Sequence, residues 1–300
     1  MRFMFKKTKA VAPIVSTILL MAVTLFVVSI ALSFVNNTLT RREGENDFES
    51  AKIFMKNVGL QIDDVAWTKG RVDTVHFTSQ YGQVEFLSGD LPESAPLKYT
   101  VTYNCLEDGV GISYEENYYS SILMYNLPID KSFLGEGYDE AIFPINVNSA
   151  RELKPVASGT TAPVANVFAI QKSNVGADQY LRIVLVPVMR YHEYYVSSSG
   201  TTPTVERHMK LYLPELILNV GIPQPKSIIM TGDGIKSTNY NNVISITVKV
   251  EFPRTNNPGF PDDHYDNLFF KFNPKEVTIP MSYQYQVETY IGRVKLDYGT

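Results

Sequence analysis

Val11 to Val35 contains no charged residue, and the next charge along the chain is Arg41. Only Pro13, Ser16, Thr17, Thr24, Ser29 and Ser33 interrupt the apolar character of this run. A helix of about twenty residues crosses the hydrocarbon core of a bilayer, so the run is long enough to span with some tilt. Fifteen of its residues are Val, Ile, Leu or Phe. At a few tenths of a kcal/mol each, its insertion is favourable by roughly 5 kcal/mol. Arg2, Lys6, Lys7 and Lys9 precede it with no acid among them. That bias keeps the N-terminus in the cytoplasm and sends the rest across; Arg41 and Arg42 weaken it without reversing it.

Three readings of this segment compete. A secretory signal peptide has an apolar stretch of about 7–15 residues and a small-x-small cleavage site. Here the stretch is longer, and Ala31-Leu32-Ser33 lies inside it. A plain membrane anchor is the second reading. The third comes from the junction Lys6-Lys7-Thr8-Lys9-Ala10 followed by Val11-Ala12-Pro13-Ile14-Val15-Ser16-Thr17.

That junction resembles the class III leader of archaeal type IV pilins, a short basic leader ending in a small residue before a Val-Ser-Pro-Val-Ile-like helix start. The resemblance covers about the first forty residues. It implies a leader over residues 1–10, cleavage between Ala10 and Val11 by a prepilin peptidase, and a filament-core helix over 11–36. Pro13, Ile14, Ile18, Leu19, Leu25, Phe26, Ile30 and Phe34 would then lie on the helix that meets other subunits. Pro13 suits a first helical turn, where its missing amide has no helical partner. The family usually has Gly where this chain has Ala10, and Val15 stands where bacterial pilins carry Glu. The resemblance further implies an assembly machinery, identical or related pilin subunits as partners, and a head displayed on the cell surface for adhesion or subunit contacts. The alternative is a permanently anchored extracytoplasmic binding or envelope protein that does not polymerise.

Beyond Arg41 to Gly44, read as a polar break, Asn46 and Glu49 form an Asn-x-x-Glu helix start. Phe48, Ala51, Met55, Val58, Ile62 and Val65 follow at spacings of three and four, an apolar stripe along one face of a helix over 46–66. The stripe packs on its own head or forms a seam between subunits, with Gly44 at the joint of a two-part helix.

From about Val72 the period changes from 3.6 to 2. Val75, Phe77, Val84 and Phe86 flank Tyr81-Gly82 as a hairpin. Leu97 to Tyr103, Ile244 to Phe252 and Val277 to Val287 alternate apolar with polar, as antiparallel strands with one wet face do. Leu181 to Val188 is apolar on both faces and belongs in the centre of a sheet, with Pro187 displacing its end to an edge or bulge. The fold class expected is therefore α+β, a long N-terminal helix followed by a large antiparallel β-sandwich-type head over 67–300. Asn146 to Pro163 could divide that head into modules 67–150 and 160–300. Ser197 to Pro203 reads as a hairpin loop between the Leu181 and His208 strands.

Net charge is −4, which gives no electrostatic reason to expect nucleic acid. Cys105 is the one cysteine, so no internal disulfide forms and the head depends on its core; a small buried side chain is its plainest role. His76, His192, His208 and His264 show no metal-ligand spacing. Thr231 to Thr238 lacks the spacing of a phosphate loop and reads as a turn. Asp262, Asp263 and Asp266 concentrate oxygen ligands in a loop and are a weak calcium candidate. Asn36-Asn37-Thr38 is a sequon beside the apolar helix. Tyrosines at Tyr114–Tyr125 and Tyr191–Tyr195 either form an aromatic surface or simply pack on their sheets. No nucleophile, base and oxyanion donor assemble in the sequence, so neither an enzyme nor a cofactor is expected.

Overall fold

A computed structural model describes residues 11–87, 96–128, 134, 138–175, 178–197, 205–220, 226–251 and 275–299. One helix, α1 (Val11–Ala66), runs unbroken for 56 residues. At 1.5 Å per residue it is roughly 80 Å long. The polar stretch Arg41 to Gly44 is helical like its neighbours, so it is not a break and Asn46 is not an N-cap. Arg and Glu are good helix formers, and one Gly costs only about 1 kcal/mol. The tertiary contacts made by the following turns offset that cost.

The rest of the described chain is mostly strand. The strands are β1 (Val72–His76), β2 (Gln83–Leu87), β3 (Leu97–Glu107), β4 (Val110–Ser120), β5 (Ile122–Pro128), β6 (Asp139–Phe143), β7 (Val156–Ser158), β8 (Ala165–Val175), β9 (Asp178–Pro187), β10 (Met189–Ser197), β11 (Val205–Val220), β12 (Ser227–Glu251) and β13 (Glu276–Gly299). Among the described residues they form two sheets. The larger has the order β4-β3-β12-β13-β11-β10-β7, with β1 beside the start of β12. The smaller has the order β2-β5-β9-β8-β6. Strands from both sides of Asn146 to Pro163 therefore interleave in both sheets, and that segment does not separate two modules.

Strand β13 lies between β11 and β12, antiparallel to β12 and parallel to β11. β7 and β10 are also parallel, so the larger sheet is mixed and not purely antiparallel. The expected hairpin at Tyr81-Gly82 is absent. β1 pairs with β12 in one sheet and β2 with β5 in the other, so residues 77–82 cross between sheets. The loop after Ser197 does connect a hairpin, but of β10 and β11; β9 lies in the other sheet.

Two cores result. The inner core joins Leu97, Tyr99 and Val101 of β3, Ile246 and Val248 of β12, and Val287 and Ile291 of β13 to Ile122 and Met124 of β5 and Val184 and Val186 of β9. The helix core joins Phe48, Met55, Val58 and Ile62 to Leu123 and Tyr125 of β5, Val167 of β8 and Ile183 and Leu185 of β9. The smaller sheet is thus covered on both faces, and β9 sits at its centre as its two-faced apolar pattern predicts. Long strands of the larger sheet curl from one core to the other. In β13, Val287 and Ile291 enter the inner core, whereas Val294 and Leu296 enter the helix core. The switch from odd to even positions means that opposite faces of one strand are used.

Three register shifts fall along β12, at Gly232/Gly234, Tyr240/Val243 and Val243/Ser245. Between Val243 and Ser245 the pairing shifts, so Val243 is buried while Ile244 is turned outward. The strict alternation read from Ile244 onward starts two residues late for this reason. A second shift falls between Gly232 and Gly234, where Gly234 has φ 130°. The Thr231 to Thr238 segment is therefore bulged strand and not a turn. Gly232 lies beneath the end of α1, where a Cβ would sit 2.3 Å from the Thr68 carbonyl oxygen and 2.7 Å from that of Val65. Only a residue without a side chain lets the helix end rest there.

Cys105 is buried in the inner core, and its thiol is pushed up first by burial and then by Glu107. Tyrosines close both cores. Tyr99 donates to the Pro187 carbonyl at 2.6 Å, and Tyr103 pairs with Thr289 Oγ1 at 2.7 Å, so these buried hydroxyls are satisfied. Burial pushes the phenols of Tyr125, Tyr138 and Tyr298 up to about 12. A phenol that holds its proton more tightly when folded stabilises the fold fully below the unfolded value of about 10. That contribution is lost as pH rises through the folded value. Alkaline titration should therefore show phenolate absorbance rising together with loss of β circular dichroism between about pH 10 and 12. Ionisation of these tyrosines near pH 10 with the β signal intact would contradict the assignment.

Candidate functional site

The helix divides into two halves of opposite character. Its second half carries Phe48, Ala51, Met55, Val58, Ile62 and Val65, each no more than 2% exposed. These residues lie in the helix core of their own chain. The reading of this stripe as a seam between subunits is corrected accordingly, because its surface is already covered.

Its first half is the reverse. Ile18, Leu19, Leu25, Phe26, Ile30 and Phe34 are between 54% and 73% exposed. From Val15 to Leu39 no large apolar side chain on α1 is buried. Val11, Pro13 and Ile14 lie in the first turn of this helix, and Ala10 lies outside the described residues. The helix is long and apolar enough to cross a membrane by length and composition. Val15 to Leu39 rises roughly 37 Å, against a hydrocarbon core of about 30 Å.

Three threonine hydroxyls in this half are turned back on the backbone. Thr24 Oγ1 donates to the Leu20 carbonyl at 2.8 Å and Thr38 Oγ1 to the Phe34 carbonyl at 2.9 Å. Thr40 Oγ1 does the same to the Asn36 carbonyl at 2.9 Å. An apolar medium offers such groups no other partner, and i−4 bonding removes the penalty. Asn36 of the sequon is exposed on the same helix.

Where the helix leaves the head, an acidic pair holds it. Asp47 Oδ2 accepts from Ser79 Oγ at 2.9 Å and from the amides of Gln80 and Tyr81 at 2.7 Å each. One turn earlier, Glu43 Oε2 accepts from the Tyr81 hydroxyl at 2.6 Å. The loop that crosses between the sheets is thus tied to the exit turn of α1. Further along, Lys52 bridges Glu49 at 2.8 Å and Glu140 at 2.9 Å. Burial works against its charge, but the hydrogen bonds to Glu140 and Glu49 outweigh it and raise its pKa. At the far end Asp63 holds Arg190 Nη1 and the Trp67 indole N–H, at 2.8 and 2.7 Å. The direction of the exposed half is fixed by the head at three levels.

Other expected sites disperse. Asp262, Asp263, Asp266 and His264 lie outside the described residues, so the calcium candidate has no geometry. Among the described residues no group of three His, Cys, Asp or Glu side chains is placed to hold a metal. His76 is exposed at the end of β1. His192 and His208 instead join an aromatic ladder across β10, β11 and β13. His192 stacks on Tyr212 at 5.6 Å, Tyr212 on Tyr290 at 5.3 Å, and Tyr194 on His208 at 4.9 Å. Burial, then Lys210 and Arg190, lowers the pKa of His192. The tyrosine-rich segments split. Tyr125 is buried against α1, Tyr118 hydrogen-bonds Glu116, and Tyr194 belongs to the ladder. Period-2 patterning cannot show this ladder, because Tyr212 and Tyr290 reach it from strands far apart in sequence.

Replacing Asp47 by Ala removes three accepted hydrogen bonds and leaves two amides of the crossing loop without their partner. A loss of about 1–3 kcal/mol is expected, read as a lower melting temperature of the full chain in detergent. Amide exchange at Gln80 and Tyr81 should accelerate, while Asp47→Asn should lose less. Unchanged melting and exchange would show that the loop does not depend on this carboxylate.

Comparison of the chain with protein-family models, with curated proteins and with solved structures finds no match.

Proposed function

We propose that this chain is a type IV pilin-like subunit of an archaeal surface filament, assembling through its apolar N-terminal helix. The observation that carries the reading is a single unbroken helix, one half uncovered and charge-free, the other half built into a β-rich head. An uncovered apolar surface of this length needs an apolar environment. Lipid supplies it before assembly. Helices of other copies supply it afterwards, at little net hydrophobic cost, because lipid tails and apolar side chains are alike in polarity.

In this reading residues 1–10 are a basic leader, removed by a prepilin peptidase between Ala10 and Val11. The clamp at Glu43, Asp47 and Lys52 sets the angle between helix and head, so each subunit enters an array in one orientation. The head is of sandwich type, with two facing sheets and α1 against the outer face of the smaller one. It lies outside the membrane and supplies contacts for adhesion or between neighbours. Polymerisation needs no catalytic residue.

N-terminal sequencing and intact mass of the native protein from a sheared surface fraction test the proposal. The expected mature chain begins at Val11 and sediments as polymer. A chain that retains Met1 and is extracted from membranes only as a monomer would overturn it, leaving a permanently anchored binding or envelope protein.

A further inference from the structure

Met209, Leu211 and Val287 point into the inner core, and the residues that alternate with them form a grid on the outer face of the larger sheet. On β10 the grid holds Arg190, His192 and Tyr194, which pair with Tyr212, Lys210 and His208 of β11. Those three pair in turn with Tyr290, Glu288 and Gln286 of β13. The two histidines stand where the β10–β11 hairpin parts from its neighbours. β7 accompanies β10 only as far as Tyr191, so His192 is the first residue of β10 beyond it. β13 pairs with β11 only from His208 onward, so His208 is the outermost rung that ties the hairpin to the sheet. Among the described residues, the hairpin end at 193–197 and 205–207 has no strand beside it outside the hairpin itself. From the opposite face its side chains reach β13 twice. The Tyr285 hydroxyl donates to Glu193 at 3.2 Å, and the Arg207 guanidinium lies 3.1 Å from the centre of the Tyr283 ring.

The root of this hairpin uses imidazoles as neutral rings. His192 stacks on Tyr212 and His208 on Tyr194. Nδ1 of His192 and both ring nitrogens of His208 are buried without a hydrogen bond. Glu206 Oε2 stands 3.6 Å from His208 Nε2, beyond hydrogen-bond length. A proton on either ring disturbs the stack. On His192 it adds a cation beside Arg190 and directly across from Lys210, and like charges facing one another across a strand pair are destabilising. On His208 it leaves a charge shut away from water unless Glu206 draws the ring out from beneath Tyr194, and an unpaired buried charge is costly. The other charged groups around the root are engaged elsewhere. Asp63 of α1 holds Arg190 at 2.8 Å, and Glu288 of β13 lies 3.6 Å from Lys210 and accepts from the Tyr290 hydroxyl at 2.5 Å. β12 contributes Ser237 and Asn239 opposite Tyr290 and Glu288, neither of them charged.

We infer that the root of the β10–β11 hairpin is an acid-operated hinge: neutral His192 and His208 hold the hairpin end in line with the sheet, and proton uptake by the two rings releases it. Tyr195, Val196 and Val205 are exposed on that end, so acid changes how an apolar tip is presented while both cores stay closed. The hinge belongs to the head and acts whether or not the chain polymerises. Its direction follows from His192, whose pKa is lowered first by burial and then by Lys210 and Arg190. A ring that takes up its proton less readily when folded stabilises the hairpin fully above the unfolded value of about 6.5. That contribution is lost as pH falls through the folded value.

Amide exchange of the full chain in detergent, corrected for the intrinsic effect of pH, tests the hinge between about pH 7.5 and about pH 5. Protection at 193–197 and 205–207 should fall by roughly tenfold or more in acid, while that of β3 and of Val243 to Val250 in β12 should not change. His192→Phe with His208→Phe keeps both rings and removes both protons, so its hairpin end should stay protected at about pH 5. His76→Phe, at an exposed histidine of β1, should behave as wild type. Equal protection of the wild-type hairpin end at both pH values overturns the inference. So does a double variant that loses protection in acid as wild type does. If the double variant does not fold, His192→Phe alone decides: it should keep part of the protection that wild type loses, and no gain over wild type overturns the inference.

Discussion

The burial of one half of α1 against the smaller sheet is the constraint on which the rest of the molecule depends. Met55, Val58 and Ile62 meet Leu123, Val167, Ile183 and Leu185, which leaves β5, β8 and β9 without a wet face. A sheet covered on both sides is stable only if a second layer closes its other face, and the larger sheet does so through the inner core. Removing the helix would expose a flat apolar surface on three strands. The head is thus built around a rod that it does not fully enclose, and the uncovered remainder leaves in a direction that the head dictates.

The larger sheet meets two demands at once by curling. β13 is inserted between β11 and β12 and spans both cores, offering Val287 and Ile291 to one and Val294 and Leu296 to the other. The bulge at Gly232 to Gly234 lies in the neighbouring strand where the end of α1 rests on it, and bulges strengthen local twist. Gly70 and Arg71 are drawn into the same joint, since Gly70 N–H donates to Gly232 at 2.8 Å and Gly232 N–H to Arg71 at 2.9 Å. Helix end, bulge and curl form a single junction.

Periodicity carried much of this in the sequence. The charge-free run, the stripe from Phe48 to Val65, the alternation in Leu97 to Tyr103 and the two-faced character of Leu181 to Val186 are local patterns, and each matches its element. What was not legible is non-local. Asp47 gives no hint that it holds Ser79 and Tyr81, and nothing in Val75 to Phe86 shows that its two strands belong to different sheets. The polar stretch at Arg41 to Gly44 suggested a break because composition changes there, but a change of environment is not a change of backbone. Ile244 looked like the first buried member of its strand, and a bulge of one residue reversed it. The apolar character of the exposed helix half was legible as hydrophobicity, and its burial state matches that reading, since no large apolar side chain from Val15 to Leu39 is buried.

The most direct test of the central claim is the accessibility of single cysteines in intact cells. Cys105 is buried in the core and stays silent toward a membrane-impermeant maleimide, so Leu25→Cys and Ser197→Cys can be compared in the same background. Rapid labelling at position 197 and none at position 25 until the protein is denatured is the result expected of an outward head on a helix covered by lipid or by other helices. Equal labelling at both positions in the folded protein would show that the apolar half lies bare in water, and the account would fail.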